Sequence, residues 1–409
     1  EAVYAEDGTL VSEAVTEKQE QAMVVSGKID VSGEKDAYGI YAADAHIALE
    51  NDIILTTTAE AGTASALYVH GNFIADSITG NINVNTQGKE AEGINFDDGS
   101  INGFTGSITI ASAGNGFGIT GWYGTRNITN STGSITVEAA GIASGIEGYY
   151  HDYTDNTRTT NLTFDEMALL LNITSSANDA YGIRLHTFTS DTNIYYGKAT
   201  SNLTSGSITG HITVTAALAG YGIYLYGLGR YGGGYSNLDA DTISSHITVT
   251  GGTDAYGIYA YGSTNAEISV KELSGNIDVT AGTGTAYGIY SSGKINGGYI
   301  DVVTKEAEYA EEGTLVSEAV TEKQEQAMIV SGKIDVSGGT DSYGIYGTDV
   351  HLAVTEEASF DVKSISGNAA AIHSTGTLTL DSLAGEINVS TAGANTATGF
   401  YFSNGTLDN

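Results

Sequence analysis

The sequence predicts an all-β fold, a right-handed parallel β-helix (β-solenoid) with about three strands per coil and roughly 13 coils. Three observations carry that expectation. Apolar residues alternate with period two over four or five positions, the spacing of a strand and not of a helix. The alternation comes in two kinds that follow one another and recur along the whole chain. Proline is absent and glycine abundant, at 55 residues, which suits a chain of paired strands where proline would remove a ladder donor.

Residues 274–292 (SGNIDVTAGTGTAYGIYSS) show the unit best. The first alternation is Gly275, Ile277, Val279, and the second is Ala286-Tyr287-Gly288-Ile289-Tyr290. The first returns at Ile29/Val31, Ile82/Val84, Ile108/Ile110, Ile135/Val137, Ile212/Val214, Ile247/Val249, Ile334/Val336 and Ile387/Val389. The second follows at Gly39, Gly93, Gly118, Gly145, Gly222, Gly257, Gly344 and Gly399. Copies about 26 to 39 residues apart mark stacked units, none able to bury its own face alone. A third short strand closes the unit at a corner, as at residues 73–78, 268–273 and 378–383. Like residues then stack at the ~4.8 Å strand spacing, and the crossover rule gives the coil a right hand.

A longer repeat overlies the short one. Residues 309–338 nearly duplicate residues 4–33. The chain therefore reads as one continuous solenoid over 1–409, a tandem block over 1–305 followed by a partial copy over 306–409. The charged segment 16–21 is expected to be a wide turn within a coil, because Gln21-Ala22-Met23-Val24 fits the second alternation with Ala for Gly.

Composition narrows the partners. With 49 acidic against 15 basic residues and a net charge of −34, nucleic acid, anionic lipid and polyuronate are excluded as main partners. Cysteine is absent, so no disulfide framework or thiolate site is expected. No run of about 18 apolar residues is found, so no membrane insertion of this segment is expected. Without an export signal at its start, the chain reads as a mature or excised segment. No cofactor and no metal is expected. His211 and His246 share an outward position and read as two solvated histidines in preference to a metal pair. Asp152, Asp155, Asp165 and Glu166, around Arg158, match no calcium loop.

Strings such as SGKIDVSGGTDSYGIY, the lack of Cys and Pro, the Gly/Thr/Ser/Asn-rich composition and the large tandem blocks resemble the passenger regions of bacterial autotransporters (type V secretion). The resemblance is one of repeat style over essentially the whole chain and brings no catalytic motif. It implies a right-handed β-helix exported to the bacterial cell surface, extracellular, serving adhesion, aggregation or display.

Two sets of candidate site residues follow. The coils are enlarged over 120–236, and the extra residues come after the second alternation, so they are expected as loops on one edge. They place Trp122, Tyr149, Tyr150, Tyr153, Arg158, Tyr195, Tyr196, Tyr226, Arg230, Tyr231 and Tyr235 together as ligand-binding candidates. Aromatic faces beside arginine, on loops held by a rigid scaffold, suit a sugar ring or a protein hot spot. The competing expectation is that these tyrosines fold back over their own sheet. The second set is a strip of Gly222, Tyr224, Gly257, Tyr259, Gly288 and Tyr290, where missing side chains beside a tyrosine ladder would leave a groove for self-association. Its alternative is that glycine eases a bend between sheets. The expected function is a non-catalytic structural and adhesive rod that binds a surface glycan or protein. A self-associating filament module is the second expectation, and a polysaccharide-cleaving enzyme with paired carboxylates the third.

Overall fold

The computed structural model describes residues 21–50, 53–122, 124–152, 157–189, 198–229, 233–305 and 320–407, with short strands at 3–4, 10–12, 308–309 and 315–317. Among the described residues the structure is all-β, and no helix is long and apolar enough to cross a membrane. Three strands make a coil, and each pairs in parallel with its counterpart one coil on, the repeating arrangement of a β-solenoid. The first face is a twelve-stranded parallel sheet running from Lys28–Gly33 to Glu386–Thr391. The second and third faces are joined where the chain crosses their shared corner without a break, as in Thr63–Ile78 and Glu90–Ile101.

The inward ladders follow from the period-two pattern. Ile82, Ile108 and Ile135 stack in register on the first face and are fully buried. Each such side chain contributes about 1.5–3 kcal/mol of burial free energy. The column continues through Leu171, Ile212, Ile247 and Ile277. Ile173 stacks on Val137 and Val214, so Leu171 leads that coil. Strands Ile54–Ala59 and Ser359–Ser364 also belong to this face, with Leu55/Thr57 and Phe360/Val362 in the two inward columns. Those pairs fall outside the Ile-x-Val pattern.

Except at Gly399, where a Cβ would meet nothing within 4 Å, the glycines of the second alternation point into the core. A Cβ on Gly222 would meet Ile247 Cγ2 and the Gly257 carbonyl oxygen, both at 2.5 Å, and Gly257 stands likewise against Ile277 and Gly288. Gly222, Gly257 and Gly288 therefore mark the inside of the bend between the first and second faces, where small size is what the site requires. The expected groove of missing side chains is not present along this strip, because the glycines face inward and only the tyrosines face outward.

Corner carboxylates explain part of the acidity. The Asp36, Asp179, Asp254 and Asp341 side chains each accept a backbone N–H one coil on, from Thr63 (2.8 Å), Ala219 (3.0 Å), Thr285 (2.7 Å) and Asn368 (2.6 Å). At the next corner Asp44, Asp98 and Asp349 do the same for Asn72, Thr125 and Thr377. An ionised acceptor makes these bonds stronger than neutral ones.

Two expectations about the irregular segments are corrected. The charged segment 16–21 lies outside the described residues up to Glu20, and the residues that duplicate it, 321–326, do not form a turn within a coil. Strands Tyr299–Lys305 and Val320–Glu325 make an antiparallel hairpin that interrupts the third face between Lys294–Asn296 and Met328–Val330. The Gly297 N–H donates to the Gln326 carbonyl (2.7 Å) and the Gln326 N–H to that of Gly298 (2.9 Å), closing its base, with Gly298 at φ +83°. A strand reading Val-Thr-Glu-Lys-Gln-Glu has no apolar side to give to a core, so it leaves the coil. Met23–Val25 accordingly pairs with Ala45–Leu49 on the third face, and is not part of a second alternation.

The enlarged coils are not looped out where they leave the second face. Their extra residues lengthen the strands, to Ala143–Asp152, Ala180–Thr189 and Gly220–Gly229 on the second face and Arg158–Met167, Ala199–Ile208 and Gly234–Ile243 on the third. The overhanging halves close on each other as a thin two-layer fin. Small residues allow this approach: the Thr187 hydroxyl lies 3.0 Å from the Thr200 carbonyl oxygen, and Ser201 Oγ donates to that of Tyr226 (2.9 Å).

Candidate functional site

Outward tyrosines on the second face form continuous ladders. One column is Tyr181, Tyr221, Tyr256, Tyr287 and Tyr343, with ring centroids 5.0, 4.8, 5.1 and 5.1 Å apart. Beside it run Tyr224, Tyr259, Tyr290, Tyr346, His373 and Tyr401, spaced 5.1, 4.9, 5.3, 4.7 and 4.3 Å. The parallel register alone dictates this stacking. The two columns meet edge to face, as at Tyr221 and Tyr224 (4.8 Å). A third column on the fin comprises Tyr149, His186, Tyr226 and Tyr261. Burial pushes the Tyr221, Tyr224 and Tyr259 phenols well above their ordinary range, so the ladder stays neutral.

The ladder has a gap. Tyr38, Tyr41 and Tyr68 resume it toward the start of the chain, with Tyr41 and Tyr68 stacked at 5.3 Å. In between, one column holds Ser65, Glu92, Phe117 and Ser144, and the other Asn95, Thr120, Glu147 and Arg184. The missing rings leave a recess of about 340 Å³ whose lining includes Glu90, Glu92, Asn95, Phe117, Trp122, Glu147, Tyr149 and Arg184. Trp122 is 62% exposed at its rim, and its backbone N–H donates to Asp97 Oδ1 (3.1 Å). A smaller hollow bounded by Tyr68, His70, Asn95 and Asp97 also abuts Trp122. A wider depression between the first two faces, around Thr86, Ser112 and Ala139, is lined mainly by small side chains with Glu138 as its titratable group, and offers little to bind a specific ligand.

The recess is charged, and Glu92 and Glu147 in it are buried. Arg184 Nη1 lies 3.3 Å from Glu147 Oε2, and its guanidinium sits over the Tyr149 and Tyr181 rings at 4.9 and 4.6 Å. Asn95 Nδ2 donates to Glu92 Oε1 at 2.7 Å. Burial, and then the charge of Glu90, push the Glu92 carboxyl up to about 7, with Asn95 and Ser65 opposing in part. Ser65 Oγ stands outside hydrogen-bonding geometry all the same. Burial also raises Glu147, against the pull of Arg184, and raises Glu90 with help from Glu147. Beneath the floor, Arg126 occupies an inward position where the next coil has Leu162. It is 1% exposed. Its Nε donates to the Phe96 carbonyl (3.0 Å), its Nη atoms have no hydrogen-bond partner among the described residues, and Gly121 and Gly148 make room for it. Burial pulls it down to about 10, with Asp97, Asp98 and Glu147 opposing.

The ligand-binding candidates from the sequence divide. Trp122 and Tyr149 line the recess, and Tyr226 continues the Tyr149 column along the fin. Tyr150 is buried inside the fin, where Arg158 Nε donates to its hydroxyl (3.0 Å) and the guanidinium covers its ring. Tyr235 lies on the third-face layer of the fin beneath Lys198. Tyr153, Tyr195, Tyr196, Arg230 and Tyr231 lie outside the described residues, as do Asp155 and the side chain of Asp152. Asp165 and Glu166 are exposed on the third face, away from the recess. His211 and His246 stack at 5.9 Å, and His246 pairs with Asp278 (2.7 Å). Among the described residues no cluster of three or more potential ligands could hold a metal. Sequence reasoning missed Glu90, Glu92, Asn95, Glu147 and Arg184 as a set. For Glu92, Asn95, Glu147 and Arg184 the signal was the departure from Tyr at these outward positions.

Fold and site together define an all-β protein of stacked parallel coils with an aromatic face interrupted by one acidic recess. No family model matches the chain, and no curated protein or solved structure does either.

Proposed function

We propose that this chain is a structural, non-catalytic rod carried outside a bacterial cell, and that it adheres by binding a surface glycan in the gap of its aromatic ladder. The observation that carries the reading is the exposed Trp122 ring standing over a recess lined by Glu92, Asn95, Asn115 and Thr120. A sugar offers an apolar ring face and a fringe of hydroxyls. An exposed indole beside buried hydrogen-bonding groups matches both, in a cavity of monosaccharide size. Likeness to autotransporter passengers supports the extracellular setting, the crossover rule supports a right-handed winding, and the recurrence of the two alternations supports roughly 13 coils. The test is a glycan array with the wild-type chain, Trp122→Ala and Tyr149→Ala. Loss of binding in both variants is the expected result, and undiminished binding in both rejects the recess as the site.

Self-association is a second reading, favoured by the in-line outward rings of Tyr224, Tyr259 and Tyr290, which are only half-buried. Sedimentation of the triple serine variant decides it: a change from assembly to monomer supports the reading, and an unchanged profile removes it.

A further inference from the structure

We infer that the recess takes the ammonium group of an amino sugar, with the Glu92 carboxylate as its counter-charge and the rings of Trp122, Phe117 and Tyr149 as its walls. This rests on the glycan reading above and specifies the class of sugar.

The first support is an unpaired acceptor. Glu92 lines the recess and is only 7% exposed. Oε1 receives the Asn95 amide, while Oε2, closed off from solvent near the Ser65 hydroxyl, has no hydrogen-bond partner among the described residues. A buried carboxylate with one oxygen unpaired is costly, and a cation held in the recess beside it offsets its charge. The second support is the charge around it. The charged groups acting on Glu92 are the carboxylates of Glu90 and Glu147, beside the neutral Asn95 and Ser65, and Glu92 in turn acts on Tyr38 and Tyr68 in the two coils before it. None of these is a cation. Arg184 is engaged by Glu147, and Lys89 acts on Glu90. The raised Glu92 carboxyl is the consequence, and an incoming cation reverses it.

The walls are the third support. Aromatic faces attract a desolvated ammonium through their quadrupoles and accept the C–H face of a pyranose. A free amine on the ring is thus held at one point by charge and at another by stacking. N-acetylation removes the charge and adds bulk at the position that would face Glu92.

Calorimetric titration at pH 7 of the wild-type chain with a β-1,4-linked glucosamine trisaccharide and with its N-acetylated counterpart tests this. Glu92→Gln keeps the shape and removes the charge. Asp361→Asn, on the exposed first face, controls for attraction of any cation to a chain of net charge −34. Expected are one site per chain, a preference of ~tenfold or more for the free amine, its loss in Glu92→Gln and its retention in Asp361→Asn. Equal binding of both trisaccharides, or a preference that survives Glu92→Gln, overturns the amine assignment, while loss of both ligands in Trp122→Ala keeps the glycan reading. No binding of either trisaccharide, with an unrelated neutral glycan still captured through Trp122, likewise refutes the amine alone. Capture of a lysine-bearing peptide and of no saccharide refutes both readings.

Discussion

Glu92→Gln should stabilise the fold at neutral and alkaline pH. The Glu92 carboxyl goes from 4.5 to about 7 on burial, so the folded chain holds this proton more tightly than the unfolded one. Below pH 4.5 both states are protonated and burial has no ionic cost. As pH rises toward about 7 the unfolded state ionises first, and stability falls. Above that the penalty is complete. Each tenfold in proton affinity is worth about 1.4 kcal/mol, which makes it about 3 kcal/mol. Glutamine cannot ionise and keeps the Asn95 contact. Denaturant unfolding of both chains at pH 5 and pH 8 isolates the effect, because titrating groups that do not interact with Glu92 cancel in the comparison. The wild type should lose about 2–3 kcal/mol more than Glu92→Gln over that interval. Equal losses would mean that Glu92 is solvated and not buried as described above.

Three other substitutions probe the scaffold. Gly257→Glu should cost more than about 2 kcal/mol in denaturant unfolding, because its Cβ meets Ile277 and the Gly288 carbonyl inside the core; a folded, fully stable variant would mean that the glycine column faces outward. Arg126→Leu should be neutral or stabilising by about 1–3 kcal/mol, since it exchanges a buried, incompletely paired guanidinium for the residue type of the next coil, and a clear loss of stability would reveal a structural partner for Arg126. Asp254→Ala should cost about 1–2 kcal/mol by leaving the Thr285 N–H without its acceptor, whereas Thr285 amide exchange as slow as in the wild type would show that the corner bond contributes nothing.

The stacked faces were legible because backbone pairing and burial both repeat with the coil. Ile82, Ile108 and Ile135 could be placed in one column by counting residues. The hairpin of strands 299–305 and 320–325 was not legible, because two nearly identical stretches of sequence say that a segment is reused and not where it points. The fin was misread for a related reason. Residues such as Tyr150 and Thr187 look like loop residues, and only the second layer closing on them makes them interior. The recess was half legible. Trp122 and Tyr149 stood out as aromatics, but Glu92 and Glu147 were two carboxylates among 49 acidic residues. What sets them apart is burial two coils from one another, a relation that exists only once the coils are stacked.

The one tryptophan of the chain allows the central claim to be tested directly. Trp122 stands at the rim of the recess, so its emission, excited selectively over tyrosine, reports occupancy of that site and no other. Titration with a bound glycan should shift and saturate the emission at the same concentration that saturates calorimetric heat. Heat of binding with unchanged Trp122 emission would place the ligand elsewhere on the coil and contradict the account.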